Sequence, residues 1–160
     1  MKKWLGPLAL CLVLGAITHL IVIYSAPPLI MDRAFTMLEK RGTPTHDFEL
    51  APRMTPETQS VVRPSPDLAY SICMFDLSQA PNGVQVTMAA YDGYSSLSFF
   101  DAQTNNFLTQ RGDGEQHQVV LNADNAPSDK GVILIRRLAP SQAAYDTVVG
   151  VSSGDECRAL

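Results

Sequence analysis

Charge is scarce in this chain, and positive charge is nowhere concentrated. Of 160 residues only 18% are Asp, Glu, Lys or Arg, against about 25% in an ordinary soluble domain. The net charge is −4, and basic residues never run beyond adjacent pairs such as Lys2-Lys3, Lys40-Arg41 and Arg136-Arg137. A sequence-independent grip on nucleic acid needs a basic stripe, so no nucleic-acid partner is expected. Cysteine is equally sparse at three residues, with no C-x-x-C and no H-E-x-x-H to hold a metal. No G-x-x-x-x-G-K-S/T phosphate loop occurs, and Gly112-Asp113-Gly114-Glu115 reads as a turn. No cofactor is expected. His46 and His117 stand near no obvious nucleophile. Asp124, Asn125 and Asp129 supply oxygen but lack the spacing of a calcium loop, so a solvated loop is the reading there.

What the chain does have is one long apolar run. Lys2 and Lys3 precede Trp4 to Tyr24, which carries no formal charge with His19 neutral. Leu5 to Ile23 spans roughly 28 Å as a helix at about 1.5 Å per residue, close to the hydrocarbon thickness of a bilayer. Trp4 and Tyr24 bracket it, as interfacial aromatics do. A cleaved signal peptide has a shorter apolar core, typically about 7–15 residues, and small residues at its cleavage site, where this chain has Tyr24. Residues 1–26 are therefore expected to be an uncleaved anchor with its N-terminus in the cytoplasm and the rest in the periplasm of a bacterial inner membrane. His19 and Thr18 mark a helix–helix contact inside the membrane.

Ser25 reads as an N-cap, and Pro27-Pro28 as the stop of one helix and the first turn of another. Ile30, Met31, Ala34, Phe35, Met37 and Leu38 recur at helical spacing, giving an amphipathic helix over 27–42 that Gly42 ends. Residues 43–58, with Pro44, Pro52 and Pro56, read as an extended linker. Residues 59–151 then read as an exported β domain. Val61 to Arg63 is a short strand, and Ala69 to Leu77 is apolar on both faces, as in a central strand. Pro81-Asn82-Gly83 turns it into a hairpin with Val84 to Met88. Further strands fall over Tyr94 to Asp101, Asn105 to Arg111, His117 to Leu121 and Gly131 to Leu138, before a short helix from Ser141 to about Val148. The fold class is mainly β, an antiparallel β-sandwich or jelly-roll-like domain behind one transmembrane and one amphipathic helix. The tail 152–160 is expected to fray. An oxidising compartment permits a Cys73–Cys157 bond, but the favoured expectation is a buried Cys73 thiol and a free Cys157.

The order VVRPSPDLAYS, DLS, YDGYSSLSFFDAQTNNF and RGDG resembles the bacterial family called domain of unknown function twelve fifty-four. The matching positions are Arg63, Pro64, Asp67, Tyr70, Ser71, Asp76, Leu77, Tyr94, Ser96, Asp101, Thr104, Asn105, Phe107 and Gly112, within Val61 to Leu138. Ser65 stands where the family has Asn, and Leu68-Ala69 where it has Thr-Leu. The resemblance implies a β-rich exported or membrane-anchored domain and no established reaction.

The polar residues admit two readings. Arg63, Asp67, Asp92, Tyr94, Asp101 and Asn105, gathered at one rim, would bind a sugar or carboxylate through a planar cation, hydroxyl acceptors and a stacking ring. Asp67 and Asp101 are the one pair worth testing as glycosidase carboxylates. Alternatively Pro64, Pro66 and Asp67 are a rigid lead-in and Thr104-Asn105-Asn106 a tight turn, a structural network without a ligand. The second reading is favoured. It makes the protein an accessory or interaction subunit that meets a partner through its two helices. The alternative is a periplasmic enzyme or a binding module for a carbohydrate or small polar ligand.

Overall fold

The structure is a computed structural model and describes residues 2–55 and 64–160. The strand expected over Val61 to Arg63 lies outside the described residues.

A 3₁₀ turn, Lys2–Trp4, leads into helix α1, Leu5–Arg41, which is unbroken. The two helices expected on either side of Pro27-Pro28 are one. Proline's fixed φ suits a helix, and what it removes is the N–H that would reach a carbonyl one turn back. Those carbonyls belong to Ile23 and Tyr24, both exposed, so losing the intrahelical partner does not bury an unpaired group. Ser25 is not a cap: its hydroxyl donates to the Ile21 carbonyl at 2.6 Å. Gly42 ends the helix as expected, with φ 86°, a left-handed turn that glycine adopts without steric penalty.

Two antiparallel sheets follow. The first has the order β1-β2-β7-β4-β5, from Glu49–Leu50, Leu68–Asp76, Lys130–Leu138, Ser95–Asp101 and Asn106–Arg111. The second has the order β6-β3-β8, from His117–Leu121, Val84–Met88 and Glu156–Ala159. Helix α2, Gln142–Ser152, starts on the Ser141 hydroxyl, which accepts the Ala144 N–H. The mainly antiparallel architecture is the expected one, but two pairings differ. β3 does not fold back on β2; its partners are β6 and β8. The Pro81-Asn82-Gly83 turn carries the chain across to the other sheet, because both edges of β2 are taken by β1 and β7. The tail does not fray either: β8 pairs with β3 from Val84↔Ala159 to Thr87↔Glu156. The expected linker likewise contains β1.

Side chains from both sheets meet in one core. Phe75, Leu97, Phe99, Ile133 and Ile135 come from the first sheet, and Val84, Val86, Met88 and Leu121 from the second. Phe99 is fully buried, and truncating such a side chain to Ala costs about 3–5 kcal/mol. Gly131 is required by packing, since a Cβ there would run into the Phe75 ring and the Phe100 carbonyl.

Within the larger sheet, β2 and β4 both lie antiparallel to β7. Leu68 faces Leu138 and Ser95 faces Arg137 at one end; Asp76 faces Lys130 and Asp101 faces Gly131 at the other. These are the Leu138 end and the Gly131 end, and they decide which polar residues can meet.

Candidate functional site

The polar residues singled out in the sequence divide between those ends. Tyr94 immediately precedes β4 and Asp101 closes it, so about seven residue steps, roughly 23 Å, separate them along the strand. Asp67 immediately precedes β2, at the Leu138 end with Tyr94. Asn105 follows Asp101 at the Gly131 end. Arg63 lies outside the described residues. The paired carboxylates Asp67 and Asp101 are thus at opposite ends of the sheet, not across a scissile bond.

Each group also has local work. Asp101 is buried and accepts the Gln103 and Asn105 N–H groups on Oδ1 and the Asn105 side-chain amide on Oδ2, each at 2.8 Å. This closes the turn into β5, where the left-handed residue is Thr104, φ 68°, instead of an asparagine. In the lead-in to β2, the Ser65 N–H donates to the Tyr70 hydroxyl at 2.9 Å, and the Asp67 carbonyl accepts the Ala139 N–H at 2.7 Å. The Asp67 side chain is exposed. Tyr94 is half-exposed beneath the Arg111 guanidinium, 5.4 Å from its ring centre. Asp124 and Asn125 lie in a loop closed by its own bonds, with the Asp124 N–H on the Asn122 side chain and the Asn125 amide on the Val120 carbonyl. Among the described residues no three His, Cys, Asp or Glu converge as metal ligands.

The most strongly built polar constellation involves residues that the sequence reading passed over. Arg137 of β7 and Asp155, just before β8, form a two-pronged ion pair at 2.7 and 2.6 Å, with side chains 1% and 0% exposed. Asp155 also accepts the Ala89 N–H at 3.0 Å and the Ser71 hydroxyl at 3.3 Å, while Arg137 donates to the Ala89 carbonyl at 3.1 Å. The Tyr91 ring lies 6.0 Å from the Arg137 guanidinium, and its hydroxyl donates to the Leu138 carbonyl at 2.8 Å. The signal in the sequence was alternation: Ile133, Ile135 and Arg137 point to one face, so an arginine occupies a core register and needs a buried carboxylate.

A disulfide lies beside this pair. Cys73 of β2 and Cys157 of β8 are bonded, with Cα atoms 6.6 Å apart and a sequence separation of 84. The free Cys157 of the sequence reading is corrected by β8, whose pairing with β3 carries that residue into the core. Disulfide and ion pair join the same two sheets.

At the Gly131 end, His46 sits in a left-handed backbone, φ 60°, and its Nε2 lies 3.0 Å from the Asp76 N–H. Burial pushes the Asp76 carboxyl up, but bonds from Ser78, Lys130 and Gln79 outweigh it and hold the pKa at about 2. On the turn into β6, His117 Nε2 donates to Asp113 at 2.9 Å, while its Nδ1 meets the Gln110 amide. The Glu115 N–H, then the His117 charge, lowers the Asp113 carboxyl. Gly150-Val151-Ser152-Ser153-Gly154 has the spelling G-x-S-x-G, a pattern the sequence was wrongly expected to lack. Here Ser152 ends helix α2 and donates to the Val149 carbonyl at 3.0 Å. A nucleophile elbow needs a strand-to-helix turn.

Fold and polar groups together define a disulfide-tied, mainly antiparallel β domain behind a long apolar helix. Residues 46–158 match the family described as "Protein of unknown function (DUF1254)", and the chain belongs to that family. Among solved structures it is similar to the VPA0106 protein from Vibrio parahaemolyticus, with a TM-score of 0.63 and 13% identity over 86% of this chain. The match covers 36% of that protein, and at this identity the likeness speaks for the fold alone. No curated protein matches.

Proposed function

We propose that this chain is an exported accessory or interaction subunit of the bacterial envelope. It is anchored by one pass of α1 through the inner membrane, with Lys2 and Lys3 in the cytoplasm and the β domain in the periplasm. The observation that carries the reading is the Cys73–Cys157 bond inside the core of a domain behind an apolar helix. Such a bond forms and persists in oxidising compartments and is rare in the cytosol. Among the described residues the candidate polar groups stabilise turns and sheet contacts and lie at opposite ends of the larger sheet, which favours an interaction role over catalysis.

The test is gentle extraction of the tagged full chain at its native level, followed by sizing and mass spectrometry of what comigrates. A stoichiometric partner, lost when the apolar residues of α1 are substituted, is expected. A chain that runs alone at its monomer size overturns the subunit reading. Thiol labelling of unreduced cells after denaturation in detergent tests the compartment separately: only Cys11 should react, and labelling of Cys73 and Cys157 would place the domain in a reducing space.

A further inference from the structure

We propose that the end of the β domain carrying Tyr94, Leu138 and Arg111 rests on the lipid surface, held there by the unbroken helix α1. The inference rests on Leu5 to Ile23 crossing a membrane. Every α1 residue from Leu5 through Ser25 is exposed, as a span without its lipid should be. Ala26 and Pro27, just past Tyr24, are the first half-buried positions. Burial recurs at Met31, only 7% exposed, and at Ala34, Phe35, Thr36 and Leu38, chiefly along one side of the helix. Met31, buried ten residues before the helix ends at Arg41, shows that α1 is covered over at least its last three turns.

The direction of the stripe says which end points down. α1 finishes at the Gly131 end of the larger sheet: Thr43 is buried with its hydroxyl on Glu49, Thr45 bridges to Met74, and the His46 N–H donates to the Met74 carbonyl. The sheet face turned away from the core is withdrawn from solvent too, at Met74, Val132 and Ser98. A helix laid over it produces that pattern. From Thr43 back to Pro27 the helix covers about 24 Å. From Met74 back to Leu68 the strand covers about 20 Å. A helix along the strands thus brings Pro27 level with Leu68, Leu138 and Tyr94, with the bilayer next beyond.

Three side chains at that end, an end they share with the exposed Asp67, fit lipid headgroups. Tyr94 is 41% exposed and Leu138 42%, and they adjoin through the Leu138 N–H on the Tyr94 carbonyl. Arg111 lies over the Tyr94 ring. An amphipathic ring, an aliphatic side chain and a cation are the groups that settle at a membrane interface beside anionic phosphate. The opposite end presents Gln103, Thr104 and Asn105, all exposed and polar.

The test uses the full chain in vesicles whose acyl chains carry bromine, a short-range quencher of tryptophan. The wild type has one tryptophan, Trp4, so its quenching reports the anchor alone. In a Trp4→Phe background, Tyr94→Trp should lose most of its emission to the brominated chains while Gln103→Trp keeps its own. Leu138→Trp is the second probe where Tyr94→Trp does not fold. Trp4 quenched with Tyr94→Trp and Leu138→Trp untouched leaves the anchor standing and overturns the proposal. Quenching of Gln103→Trp alone turns the domain the other way up and overturns it too. A blue-shifted, unquenched Tyr94→Trp assigns the end to a second copy or another protein, again against the proposal. Trp4 unquenched refutes the anchor itself.

Discussion

Replacing Asp155 by Ala should unfold this domain more readily than any single surface change. The substitution leaves the Arg137 guanidinium, 1% exposed, without its carboxylate. It also strips the Ala89 N–H and the Ser71 hydroxyl of an acceptor. Breaking a buried ion pair from one side costs about 3–5 kcal/mol, a large part of the 5–15 kcal/mol that holds a typical domain together. For a domain of about a hundred residues this is a fall in Tm of roughly 12–30 °C. The assay is thermal and urea unfolding of the detergent-solubilised full chain, followed by near-ultraviolet circular dichroism. Arg137→Met should cost a similar amount, because it orphans Asp155. The double variant Arg137→Met/Asp155→Leu should cost much less than the sum of the single changes, since no buried charge remains. Glu156→Gln is the contrast: its pair with Arg158 is half-exposed on both sides, and such pairs contribute about 0–1 kcal/mol. A loss below about 1 kcal/mol for Asp155→Ala, or strict additivity in the double variant, would refute the claim that this pair joins the sheets.

Three other outcomes follow from the same geometry. Cys73→Ala/Cys157→Ala, or reduction, should lower stability by about 2–5 kcal/mol, the chain-entropy value for a loop of this length lying near the top of that range; unchanged urea midpoints with and without reductant would count against the cross-link. Asp76 has a folded pKa of about 2, below the ordinary unfolded value, so its contribution is complete above about pH 4 and is lost as pH falls towards 2. After discounting for the exposed Lys130, that contribution is about 1–2 kcal/mol, and Asp76→Asn should flatten the acid limb of a stability-versus-pH curve. Thr104→Asn should raise stability by about 0.5–1 kcal/mol by relieving a β-branched residue at φ 68°; an unchanged or lower Tm would show that Thr104 makes a compensating contact.

Most of the strands were legible from alternation and turn residues, because β4, β6 and β7 each carry a local pattern with one or two apolar faces. Pairing was not legible. Val84 to Met88 alternates equally well beside β2 or beside β6, and only the covered edges of β2 decide the matter. The tail misled because Cys157 is the one apolar side chain in Asp155-Glu156-Cys157-Arg158. What orders that strand is long-range, a bond to Cys73 and a charge on Arg137. The long apolar helix was legible from its length and composition, whereas its continuation through Pro27-Pro28 was not. Propensity scores that pair as a break, but a helix supported along one stripe tolerates it. The polar rim failed as a geometric expectation for a related reason: Tyr94 and Asp101 are close in sequence but bound opposite ends of a fully extended strand.

The 84-residue reach between Cys73 and Cys157 also sets a clock. At a synthesis rate of about 5–20 residues per second, Cys73 emerges roughly 4–17 s before the residue it bonds. Arg137 waits about 1–4 s for Asp155 by the same rate. Throughout that interval β3 lacks one neighbour and an arginine sits in a half-built core. The nascent domain thus stays incomplete, with Cys73 open to wrong thiol partners, until β8 arrives.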